Sequence, residues 1–145
     1  MDTARRGMVA RMLAEIAGRE NEPAGTVYKN VRLLKDIPAR ALLDTMNAYG
    51  RALGLTCTGC HVAGQWASDE RQNKKLAREM QILVNDLNAK QMPAMNNLDA
   101  GFPHVTCAMC HRGAGHPAQT ASLDAPAPAP NGPPGAPPMN RPPTH

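Results

Sequence analysis

Aromatic side chains are almost missing from this chain: its 145 residues include one Phe, one Trp and two Tyr. A chain of this length makes one domain, and small domains bury too little surface to be indifferent to such a shortage. An ordinary aromatic core is therefore excluded, and apolar bulk has to come from elsewhere. No apolar/polar alternation reads as a strand. The amino-terminal stretch holds no long apolar run, because Arg11, Glu15 and Arg19 interrupt it. It is thus neither an export signal nor a membrane span. The formal net charge is +4, yet no clustered basic stripe or recognition motif accompanies it, which leaves no case for nucleic acid as a partner.

What is present is concentrated in two pentapeptides. Cys57-Thr58-Gly59-Cys60-His61 and Cys107-Ala108-Met109-Cys110-His111 are both C-x-x-C-H, and they use all four cysteines. This is the attachment signature of c-type haem. Two thiols one helical turn apart can each form a thioether to a haem vinyl group, and the following imidazole then lies under the iron as its proximal ligand. The expected cofactors are two covalently bound haems, one on Cys57 and Cys60 with His61, the other on Cys107 and Cys110 with His111. A zinc ribbon would separate its C-x-x-C pairs by about 15–20 residues, and tetrahedral zinc has no need of a histidine after each pair. Paired disulfides would leave both histidines without a role.

Nine methionines suit the same reading, because thioether sulfur is a common sixth ligand to haem iron and raises its reduction potential. The competing role is core filling by a flexible side chain, which should hold for most of them. Residues 3–20 carry Met8, Met12, Leu13 and Ile16 at helical spacing. Residues 27–34 form a short apolar stretch, helical or extended. Pro38 opens a helix that Gly54 closes, with Leu42, Leu43, Met46, Tyr49 and Leu53 on its apolar face. Met46 lies mid-face, a short loop ahead of Cys57, and spacing alone leaves it equally a filler or a ligand. A further helix is expected from Ser68, as N-cap, to about Lys90, with Asp69 and Glu70 at its positive end. Leu76, Met80, Leu83, Val84 and Leu87 form its stripe. Met80 stands on this helix as Met46 does on the earlier one, with a longer connection to its motif.

Beyond His116 the composition changes. Residues 117–145 hold ten of the fourteen prolines, mixed with Ala and Gly, and cannot bury a core. The expected organisation is a helix or arm over residues 1–24, a di-haem domain over 25–116 and a disordered Pro/Ala-rich tail over 117–145. The fold class is all-α, with helices packed on two covalent haems.

The stretch from Lys29 to Pro38, the run Met46 to Leu55 and the motif through Val62 resemble the photosynthetic reaction-centre cytochrome c subunit family. So do Ala77-Arg78-Glu79-Met80, Asn85-Asp86-Leu87-Asn88 and Val105 through Gly113. The likeness covers about residues 27–115 and matches a two-haem half of the four-haem subunit, or a small di-haem member. It implies that Met46, on the helix before the first motif, is the sixth ligand of the first haem. The last haem of the four-haem subunit takes a histidine from the half that this chain lacks. For the second haem Met80 is the first choice, ahead of His104, His116, Met92, Met95 and Met109, with a ligand from a partner chain or an open site as the remaining alternatives.

The expected function is single-electron carriage between redox partners, with a redox protein or membrane electron-transfer complex as partner and a homo-oligomer as a further option. No enzyme is expected, since closed ligation leaves no vacancy for substrate. The alternatives are a di-haem enzyme or sensor with an open distal site, and a structural subunit of a larger cytochrome assembly. The expected location is extracytoplasmic, because bacterial haem attachment to such motifs takes place there.

Overall fold

The computed structural model describes residues 2–99, 101 and 104–118. Among these residues six α-helices occur in the order α1 (Asp2–Glu15), α2 (Ala24–Val27), α3 (Ala39–Leu53), α4 (Cys57–Cys60), α5 (Gln72–Asp86) and α6 (Cys107–His111), with a π-helical turn at Leu87–Gln91 after α5. Among the described residues there is no strand, only the isolated bridges Pro23–Pro38 and Val62–Gln65. The expected tail lies almost wholly outside the described residues.

Pro38 caps α3 with φ −54° and ψ 144°, an angle its ring sets in advance and a position where its missing N–H costs nothing. Gly54 ends α3 in the left-handed region at φ 63°, where a side chain would be strained. The Leu55 N–H then closes on the Gly50 carbonyl at 2.9 Å. Backbone bonds from Ala24 to Ile37 (2.8 Å) and from Ala39 to Glu22 (2.9 Å) hold α2 against the start of α3. Helix α1 packs along α3, and α6 packs on α3 near its end. There the Gly113 N–H donates to the Ala52 carbonyl at 2.8 Å, one of the carbonyls that a helix end leaves without an intrahelical donor.

Three expected boundaries move. The first helix ends at Glu15 rather than near residue 20, and residues 28–34 are mostly turns after the single turn of α2. Helix α5 starts at Gln72, capped by Arg71 and not by Ser68. The reason is tertiary: Asp69 is engaged by Arg32 (2.8 Å), Arg78 (2.9 Å) and Lys74 (3.2 Å), and the Ser68 carbonyl accepts from Lys74 at 2.8 Å. These bonds hold residues 67–70 out of the helix.

The enclosed apolar set is small: Ile16, Ala24, Ala39, Leu42, Leu43 and Ala52. Among the described residues no large side chain is fully buried, while Leu76, Met80, Ile82 and Leu83 on α5 are exposed. The apolar side chains of α1 and α3 instead line a cleft.

Candidate cofactor-attachment sites

Each pentapeptide folds into one helical turn entered from an extended threonine, Thr56 before α4 and Thr106 before α6. The turn brings Cys57 and Cys60 to one side, and the His61 N–H closes on the Cys57 carbonyl at 3.0 Å. No disulfide forms among the four cysteines. Burial pushes the thiols of Cys60 and Cys107 up from their ordinary range, which keeps them protonated near neutral pH.

The two histidines share one feature. His61 Nδ1 lies 3.0 Å from the Trp66 carbonyl, and His111 Nδ1 lies 3.1 Å from the Ala114 carbonyl. A carbonyl oxygen only accepts, so Nδ1 carries the proton in both rings and donates it. Nε2 is left with its lone pair, and the ring orientation is fixed, as a metal-bound imidazole requires. For His61, burial pushes the imidazole down from its usual range, and the cations of Lys74 and Arg78 add to this against the opposing Trp66 bond. The neutral form is therefore favoured. The left-handed residues Gly64, Arg112 and Gly113 turn the chain after each motif so that these carbonyls come back to the rings.

Trp66 packs edge-on against His61, ring centroids 5.9 Å apart, and lines the same cleft. This cleft, about 1360 Å³ counting its open mouth, runs between α1, α3, the turns of residues 28–34, α4 and α5. Met8, Met12, Leu42, Leu43, Met46, Leu53 and Leu55 supply apolar wall, and Cys57, Cys60 and His61 are part of it. Met46 and His61 thus share one cavity. The charged residues on its wall are Arg5, Lys29, Arg32, Lys74 and Arg78, with no Asp or Glu. An apolar slot rimmed by cations fits a macrocycle bearing carboxylates, and the donor set of two thiols, an imidazole and a thioether fits haem.

The second motif is built differently. Beside it lies a small hollow between Ala48, Arg51 and Ala52 of α3 and Ala108, Arg112 and Gly113. Met80 lines neither cavity and is 38 % exposed. Of the other expected candidates, Met95 and Met109 are exposed, as are His104 and His116, while Met92 is half-buried.

Helix α5 ties the two motifs together. Lys74, Ala77, Arg78 and Gln81, at i, i+3, i+4 and i+7, face the first cleft. Asn73 Nδ2 donates to the Gly59 carbonyl at 3.0 Å, inside the first motif. At the far end Asn88 grips Val105 from both sides: Nδ2 donates to its carbonyl at 2.9 Å, and Oδ1 accepts its N–H at 2.7 Å. Tyr49 on α3 faces Gln81, which accepts its hydroxyl. Burial, helped by the nearby Cys107, pushes this phenol up to about 12. Around Asp69, Asn30 donates to the carboxylate at 2.8 Å and to the Ala67 carbonyl at 2.6 Å. Asn30 adopts φ 63° to do so.

Sequence reasoning proposed the cysteines, the histidines and Met46, and the structure gathers Met46, Cys57, Cys60 and His61 round one cleft. It missed Arg5, Asn30, Asp69, Asn73, Lys74 and Asn88 as parts of the site. Their partners lie up to 50 residues away, and only Asn30, with its tolerance of left-handed backbone, carried a local hint.

Comparison with known proteins gives a consistent result. The family model described as photosynthetic reaction centre cytochrome C subunit matches residues 3–136. A photosynthetic reaction center cytochrome c subunit from Thermochromatium tepidum is 37 % identical over 92 residues, 62 % of this chain and 22 % of that protein. Cytochrome c-554 from Chloroflexus aurantiacus is 36 % identical over 86 residues, 59 % of this chain and 20 % of that protein. The matched stretch spans about a fifth of the length of these relatives.

Proposed function

The chain belongs to the photosynthetic reaction-centre cytochrome c subunit family, and on that premise we propose that it is a di-haem c-type cytochrome carrying single electrons between redox partners outside the cytoplasm. Cys57 and Cys60 would hold the first haem by thioethers, with His61 and Met46 as the residues that would ligate its iron. Cys107, Cys110 and His111 would hold the second. Haem supplies, when bound, a reversible one-electron couple at iron. The chain's own residues fix the imidazoles, exclude water from the first cleft and set the charge around it.

The observation that carries this reading is the repeated histidine geometry: in both motifs Nδ1 donates to a carbonyl of the returning chain, that of Trp66 five residues after His61 and that of Ala114 three residues after His111. A surface histidine has no need of that lock, whereas an iron ligand does. For Met80, support comes from its place on α5. The π-helical turn that continues α5 carries Asn88, which holds the segment entering the second motif. We assign Met80 as sixth ligand of the second haem on this ground. Its exposure is the observation that favours the other reading, an enzyme or sensor with an open second iron. The partner is a redox protein or a membrane electron-transfer complex. Among the described residues no helix is long and apolar enough to cross a membrane.

Peptide-mapped mass spectrometry of the protein made with haem-attachment machinery tests the proposal. Two haem adducts are expected, one on the Cys57/Cys60 peptide and one on the Cys107/Cys110 peptide. A single adduct, or free thiols at both, would overturn it.

A further inference from the structure

Arg5 is 6 % exposed, unusual for a guanidinium on a first helix. Its Nη1 donates to the Leu55 carbonyl at 3.1 Å, and its Nη2 reaches Asp2 at 3.1 Å. Its Nε is buried and has no partner. Three buried side-chain polar atoms lack a partner among the described residues: Arg5 Nε, Tyr28 Oη and Asn47 Oδ1. All three belong to residues lining the first cleft. A buried charged group with an unmade hydrogen bond is costly, and one whose counterion is a half-exposed carboxylate, with Asp2 at 44 %, is incompletely neutralised.

The side chain is also held in place. A Cβ at Gly50 would lie 2.7 Å from Arg5 Cδ, so only glycine there lets the arginine stem lie against α3. Leu55, its acceptor, is two residues before Cys57, so the guanidinium sits beside the chain that carries the first attachment. The other cleft cations differ: Arg32, Lys74 and Arg78 share Asp69, and Lys29 is exposed.

We propose that Arg5 binds a carboxylate of the macrocycle held in the first cleft, and that its charge raises the reduction potential of that haem alone. This rests on the di-haem reading above. Reduction adds an electron, and a fixed cation in a poorly solvated site favours the more negative state. Removing the cation should shift that haem's reduction equilibrium by roughly tenfold, about 59 mV for one electron.

The test is voltammetry of the full haem-loaded chain as wild type, Arg5→Met, Arg5→Lys and Met46→His. Met46→His should lower one of the two waves and so identify the first haem. Arg5→Met should lower that same wave by roughly tenfold in equilibrium constant and leave the other in place, while Arg5→Lys, which keeps the charge, should stay close to wild type. An unmoved wave in Arg5→Met, or equal movement of both waves, would overturn the assignment. Should Arg5→Met fail to load, the infrared redox-difference spectrum of Arg5→Lys decides. A shifted haem carboxylate band supports the contact, and a band identical to wild type overturns it. Absence of haem from Cys57 and Cys60 in the wild type would sink the di-haem reading itself, whereas an unmoved wave in a chain bearing both haems sinks only the role of Arg5.

Discussion

Asp69 bonds three cations and the Asn30 amide at once, and Arg78 foremost, then Lys74 and Asn30, hold its carboxyl well below the usual carboxylate range. A carboxyl depressed in the folded state stabilises the fold above its unfolded pKa of about 3.9. That contribution is lost as pH falls further, towards the folded value. Asp69→Asn should therefore lower the melting temperature by a few degrees at neutral pH. It should also flatten the loss of stability below about pH 4, both read by calorimetry across a pH series. Equal acid sensitivity in variant and wild type would show that the network contributes nothing. In the sequence Asp69 reads as a helix-dipole residue. Its partners Asn30 and Arg32 come from a distant turn and Arg78 from within α5, a convergence that no local pattern displays. The cysteines and histidines were legible for the opposite reason: their chemistry is contained within five residues.

At the scale of elements, α5 matters most, because its face from Lys74 to Gln81 lines the first cleft and the turn that continues it holds the segment entering the second motif. The two contacts from Asn88 to Val105 take the place of strand pairing, which is absent among the described residues, and they satisfy both backbone groups of a half-buried residue. Asn88→Ala should cost about 1–3 kcal/mol, two hydrogen bonds at roughly 0.5–1.5 kcal/mol each. It should also reduce haem occupancy at Cys107 and Cys110 while sparing Cys57 and Cys60. Denaturant unfolding and peptide-mapped haem counting check both parts, and equal loss at the two motifs would refute the assignment. The ends of α3 were readable from Pro38 and Gly54, since caps act locally. The start of α5 was not, because ion pairs formed across the fold outweigh the preference of Ser68 for a helix cap.

For the whole molecule, composition anticipated the architecture better than periodicity did. A chain with four aromatic residues encloses, among the described residues, six apolar side chains, half of them alanines, and arranges much of the other apolar surface described as the walls of a cleft. The stripe Leu76, Met80 and Leu83 has helical spacing but lies exposed. Periodicity shows which face is apolar and not what covers it. In the di-haem account the two macrocycles supply the apolar bulk that the sequence lacks, and α3 and α5 are shared between them, which places the two redox centres on common elements. The central claim is that both irons are capped and exchange electrons one at a time. A spectroelectrochemical titration of the haem-loaded protein, run with and without carbon monoxide, tests it most directly. The account predicts two one-electron steps per chain and spectra unchanged by carbon monoxide. A single step, or a carbon monoxide shift in about half of the haem, would contradict it.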